Sequence, residues 1–117
     1  MKAIVIEQTG GPEVLKLKDV PRPTPGPGQA LIRNAAIGIN YIDTYYRTGL
    51  YKTQTPYTPG QEVCGAIEAF GPQTTSDLKV GDRVVTSNAI GGYGEYCLAP
   101  VERLVPVPDG ASDVQAC

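Results

Sequence analysis

The stretch AIGINYIDTYYRTGLY, Ala36–Tyr51, holds four of the chain's seven tyrosines, together with one Asn, one Asp and one Arg. Its punctuation predicts a short helix. Asn40 suits an N-cap, because its side chain can accept from the exposed N–H groups of a first turn. Asp43, three residues on, stands at the positive end of the helix dipole. Gly49 is placed to end the helix in a left-handed cap. Ile42 and Tyr46, four apart, share a face, which assigns Tyr46 to packing. Capping thus accounts for Asn40, Asp43 and Gly49. It does not account for Tyr41, Tyr45 and Tyr51 joining Tyr46, and two readings stand: tyrosines that fill an interface, or one wall of a site.

Outward from this helix the chain reads as short strands. Fourteen glycines and eleven prolines interrupt its 117 residues and exclude long helices. Between the breaks lie apolar or alternating runs: KAIVIEQ and VLKLKDV, then QALIRNAAIGI, EVCGAIEAF, DRVVTSN, YGEYCLA and RLVPVP. Their even spacing predicts an antiparallel barrel or sandwich. PRPTPGPG, Pro21–Gly28, is a stiff loop within one domain. VGDRV, Val80–Val84, is a turn feeding a buried strand. GGYGEY, Gly91–Tyr96, is a turn leading into a strand.

A second helix start lies in PDGASDVQAC, where Ser112 and Gln115 form a capping box. Only two residues follow it, whereas an isolated helix needs about 12–15 residues to be marginal in water. The expectation is therefore that these residues are the front part of a longer protein. The missing nucleotide motifs point the same way: there is no G-x-G-x-x-G fingerprint and no Walker A loop.

Composition narrows the function. With 41% apolar and 19% charged residues and a net charge of −2, the chain is a globular domain without a basic run, which argues against nucleic acid and anionic membranes as partners. No stretch has the length of a membrane span or the pattern of a signal peptide, and the expected location is cytoplasmic. Histidine is absent, and Cys64, Cys97 and Cys117 form no Cys-x-x-Cys pair. They read as buried or half-buried free thiols, and no metal site is expected. Ser-His-Asp and Cys-His chemistry is excluded with the histidines.

The pieces GGPEVL, AIGIN-IDTY-R-GLY, PG-E--G, VGDRV and GGYGEY, in this order, resemble the N-terminal GroES-like domain of the medium-chain dehydrogenase/reductase superfamily. More narrowly, they resemble its zinc-free NADPH:quinone oxidoreductases, the zeta-crystallin-like branch. The resemblance covers essentially the whole chain, and its most specific part is GINYIDTYYRTGLY. It implies a mostly β domain, a partly opened β-barrel with one or two short helices, on the substrate side of a two-domain α/β reductase. Residues 1–117 would form that domain. The Rossmann domain would begin a few dozen residues beyond Cys117, and the last stretch of such a chain would return to complete the barrel.

The zinc-dependent relatives carry a cysteine at the position of Asn40 and a histidine at that of Gln61, so the resemblance implies no metal here. Glu62 would be structural, a carboxylate paired near the domain junction. Asn40, Tyr41, Ile42, Asp43, Thr44 and Tyr45 would lie along the nicotinamide end of NADPH, and Tyr45 and Tyr51 would border the substrate and act in catalysis. Arg47 is either a solvated charge or a group that draws the anionic cofactor. The implied reaction is hydride transfer from NADPH to a quinone carbonyl, by an enzyme that is a homo-oligomer at full length. The cofactor supplies the hydride, and tyrosine hydroxyls are the available donors to charge growing on the carbonyl oxygen. An enone or acrylyl reductase of the same superfamily, and a non-catalytic GroES-like binding module, remain as alternatives.

Overall fold

A computed structural model describes residues 1–117. Seven strands and two short helices follow in order: β1 Lys2–Val5, β2 Lys16–Asp19, β3 Gln29–Gly38, α1 Tyr41–Thr48, β4 Glu62–Phe70, β5 Arg83–Thr86, β6 Tyr96–Pro100, β7 Val105–Pro106 and α2 Asp113–Ala116. Single 3-10 turns at Pro12–Val14 and Val101–Arg103 separate some of them.

Five strands make one antiparallel sheet in the order β6-β3-β4-β5-β7, and β1 and β2 pair as a separate antiparallel ribbon. Both sheets are open, in keeping with the expected mostly β, partly opened barrel. The central strands β3 and β4 pair from Ala30↔Phe70 to Gly38↔Glu62, with register shifts at Leu31/Ile32 and Asn34/Ala36. Bulges of this kind bend a strand and redirect its side chains. They divide β3 functionally. Its first half, Gln29–Arg33, pairs with β6 on the other edge. Its second half leaves the β6 ladder and runs toward α1.

The core lies under the first half. Ala30 and Ile32 of β3, Val63 and Ile67 of β4, Val84 of β5, and Cys97 and Ala99 of β6 pack with Ala89 and Leu104 into one buried cluster. Removing such side chains from water is the main favourable contribution to folding. Beyond the bulge the sheet is less covered. A cleft of about 500 Å³ opens between the β1–β2 ribbon and β3, with Ile4, Leu17, Ile37 and Ile39 among its lining residues.

The structure trims the expected strands. Ile6 lies beyond β1 and makes only an isolated bridge to Tyr57. Val14 belongs to a 3-10 turn because Pro12 starts it, and RLVPVP keeps only a two-residue strand because its prolines lack the N–H a ladder needs. EVCGAIEAF is a strand over its full length. The expected VGDRV turn is present: Gly81 has φ 94°, Asp82 Oδ2 accepts from the Lys79 N–H at 2.9 Å, and Val84 is buried.

Candidate active site

Helix α1 forms where its caps place it. Asn40 is the N-cap, Asp43 Oδ2 accepts from the Asn40 backbone N–H at 3.1 Å, and Gly49 at φ 89° closes the last turn with an N–H bond to Tyr46 O at 3.2 Å. A left-handed residue at this point strains any side chain, which is why glycine occupies it.

The helix has two unlike faces. The inner face carries Asp43, only 5% exposed. Its Oδ2 also accepts from Tyr93 Oη at 2.6 Å, while its Oδ1 is buried without a hydrogen-bond partner in the chain. Burial and the Asp43 carboxylate push the Tyr93 phenol well above its ordinary range, so Tyr93 is a neutral donor. Tyr93 is held from two sides. Gly60 lies so close under its ring that a Cβ there would collide with it. Asn34, at the bulge of β3, donates through Nδ2 to Gly92 O at 3.1 Å and to Gly94 O at 2.8 Å. Cys97 Sγ in turn donates to Asn34 Oδ1 at 3.2 Å. The glycine-rich turn is therefore more than an entry to β6: it carries the phenol that seats α1. Sequence reasoning missed Tyr93 and Asn34, because nothing local links them to residue 43.

The outer face carries Tyr41, 83% exposed, and Tyr45, 37% exposed. Tyr51, 46% exposed, folds back over the last turn through its N–H bond to Tyr45 O at 3.0 Å. Its ring meets that of Tyr45 edge-on at 5.3 Å and that of Tyr46 edge-on at 5.6 Å. The structure thus brings Tyr45 and Tyr51 together on an open face, with Tyr46 half-buried behind them. Thr44 Oγ1 is occupied internally, donating to Tyr41 O at 2.6 Å. Arg47 is half-buried. Its Nε donates to Gly10 O at 3.3 Å and its carbonyl accepts from the Gly10 N–H at 2.9 Å, so it fastens the helix to the first turn of the chain.

Asn40 sits at the rim, and its Nδ2 donates to Glu62 Oε2 at 3.1 Å. Glu62 is thus paired with the residue that opens α1. Gly38, across the ladder from Glu62, leaves room for that carboxylate, since a Cβ there would overlap it. No three cysteine or carboxylate side chains converge on a point that could hold a metal. The thiols are occupied otherwise. Burial raises Cys64 to about 11, with Sγ directed at Asp113 Oδ1, and raises Cys97 to about 12. Arg83 grips Asp113 at 2.8 Å and Ala111 O at 2.8 Å, which fixes α2 on the sheet and holds the Asp113 carboxyl below its ordinary range.

The rim of α1 offers neutral groups rather than a site for an anion. The N-terminus of α1 already has the Asp43 carboxylate against its N–H groups, and a second anion such as a pyrophosphate would be repelled there. Neutral groups, a carboxamide or a ribose, match the exposed Asn40 rim.

The model of the alcohol dehydrogenase GroES-like domain family matches residues 26–109. The quinone oxidoreductase of Lama guanicoe is 48% identical, over 98% of this chain and 36% of that protein. The solved structure of the mycobacterial protein Rv1454c complexed with NADPH has 47% identity and a TM-score of 0.96, over 99% of this chain and 36% of that one. That of Escherichia coli quinone oxidoreductase complexed with NADPH has 34% identity and a TM-score of 0.91, over 99% and 36%. The chain therefore spans about a third of the length of these relatives. On the match to its residues 26–109 and on this fold, the chain belongs to the alcohol dehydrogenase GroES-like domain family, within the medium-chain dehydrogenase/reductase superfamily.

Proposed function

We propose that this chain is the substrate-side domain of a cytoplasmic, zinc-independent NADPH:quinone oxidoreductase that is a homo-oligomer at full length. In this reading, residues 1–117 supply the GroES-like domain and a separate Rossmann domain supplies the dinucleotide phosphates. The observation that carries it is the pair of exposed tyrosines, Tyr45 and Tyr51, stacked edge to face over a helix whose inner face is locked by Tyr93. Two flat rings with free hydroxyls on a rigid support suit a planar carbonyl substrate.

When bound, NADPH supplies the hydride. The chain's own residues do the rest. Asn40, Tyr41, Ile42, Thr44 and Tyr45 border the nicotinamide end, and Asp43 holds that border in place from inside. Tyr45 and Tyr51 pack against the quinone and donate hydrogen bonds to the carbonyl oxygen as negative charge develops on it. Bringing ring and substrate into contact is itself worth a large part of the acceleration. Asn40, with its amide donating to Glu62, stands where the resemblance implies a cysteine ligand in zinc-dependent relatives, which supports the zinc-independent reading. Three free thiols suit a reducing compartment.

The test is a substrate profile of the complete enzyme with metal analysis. NADPH oxidation should be driven by quinones over simple enones, without stoichiometric zinc. A preference for enones, or one tightly held zinc per chain, contradicts the proposal.

A further inference from the structure

Tyr51 stands at the start of a segment, Tyr51–Pro56, that is exposed throughout. Little else in the chain restrains its ring. Two aromatic edges do so: Tyr45 from the outer side, with the planes at 64°, and Tyr46 from the inner side, with the planes at 79°. Tyr46 lies one turn beyond Asp43 on the face that Tyr93 locks, and it lines a cleft of about 240 Å³ with Thr53, Tyr57 and Gln61. Its ring is half-buried on a helix that is fixed at Asp43, and the exposed ring of Tyr51 meets it edge-on. An edge-to-face contact is directional, so it sets the plane of the ring it supports.

We propose that Tyr46 is a positioning residue for Tyr51, its half-buried ring fixing the plane that Tyr51 presents to the quinone. The contact is ring to ring, so the hydroxyl of Tyr46 is dispensable. This inference rests on the quinone reading of Tyr51, and the experiment separates the two.

In the complete enzyme, 3-fluorotyrosine placed at position 51 reports the ring's environment by fluorine NMR. Tyr46→Ala should shift or broaden that resonance and raise KM for quinone about fivefold, the worth of one aromatic pair, with kcat changed less. Tyr46→Phe should keep both the resonance and KM at wild type, which it would not do if the Tyr46 hydroxyl carried the effect. Tyr46→Leu fills the volume without an aromatic edge; it should behave as Tyr46→Ala does, and it decides the matter if the alanine variant does not fold. An unchanged resonance in Tyr46→Ala or Tyr46→Leu overturns the proposal. So does a moved resonance with wild-type KM. Tyr51→Ala with wild-type quinone kinetics would instead overturn the reading of Tyr51 itself, while the fluorine signal would still show whether Tyr46 holds the ring.

Discussion

Tyr93 Oη donates to Asp43 Oδ2 at 2.6 Å, joining a glycine-rich turn to a helix fifty residues earlier in the chain. A carboxylate withdrawn from water needs its hydrogen bonds, and bonds to a charged group contribute about 1.5–3 kcal/mol. Asp43 has one other donor, the Asn40 backbone N–H at 3.1 Å, and its Oδ1 is unpartnered. Tyr93→Phe should therefore destabilise the chain by about 2 kcal/mol in urea unfolding. Tyr57→Phe is the matched control. Its hydroxyl is buried and also without a partner, so its removal should leave stability within about 0.5 kcal/mol of wild type or raise it. Equal losses in the two variants would show that the Tyr93 bond contributes nothing of its own.

Alkaline pH should loosen the fold through Cys97. Burial raises this thiol from 9.0 to about 12, although its bond to Asn34 works against the shift. The folded state therefore keeps the proton where the unfolded chain loses it. Stability from this source is complete below about pH 9 and falls as pH rises toward 12, by about 1.4 kcal/mol per pH unit for one thiol at most. Cys64, raised to about 11 by burial, acts in the same direction. Cys97→Ser keeps a donor to Asn34 and does not titrate in this range. Its melting temperature should decline less steeply than wild type between pH 9 and 11, and parallel curves would exclude Cys97 as the source.

The fold was legible where the pattern is local. Caps at Asn40, Asp43 and Gly49 marked α1, the Ser112 and Gln115 box marked α2, and alternation marked β3 and β4. The helix and its cap left Tyr45 and Tyr51 open between packing and site; the resemblance put them together, and the structure stacks them on an exposed face. What could not be read was long-range. Asp43 looks like a helix-dipole residue in the sequence, yet its burial depends on Tyr93, which depends on Asn34 and the bulge in β3. Arg47 looked free because its partner Gly10 offers only backbone. No periodicity records a side chain that reaches across the sheet to a turn.

Dinucleotide binding by the 117-residue chain alone should be very weak. Pyrophosphate is held by backbone amides at a helix N-terminus, and α1 has the Asp43 carboxylate in that position, while α2 has four residues with Asp113 at its start. Titration calorimetry with NADPH should show no binding in the micromolar range. Micromolar affinity would mean that this domain carries a phosphate site of its own and would undo the division of labour between two domains.

The tyrosine wall is tested most directly by removing one hydroxyl at a time from the complete enzyme. Tyr51→Phe keeps the ring, its edge contacts with Tyr45 and Tyr46, and its backbone bond to Tyr45, and it deletes only a donor. If that donor meets charge on the carbonyl oxygen in the transition state, kcat/KM for quinone should fall about tenfold or more, since about 1.4 kcal/mol is one decade and such donors are often worth more. Tyr46→Phe deletes the hydroxyl of a half-buried ring and should leave kcat/KM near wild type, with stability lowered by about 1 kcal/mol at most. Because both substitutions conserve shape, a general loosening of α1 would lower both. Wild-type kinetics in Tyr51→Phe and in Tyr45→Phe would reduce the wall to packing and leave the capped helix as the whole explanation of the stretch.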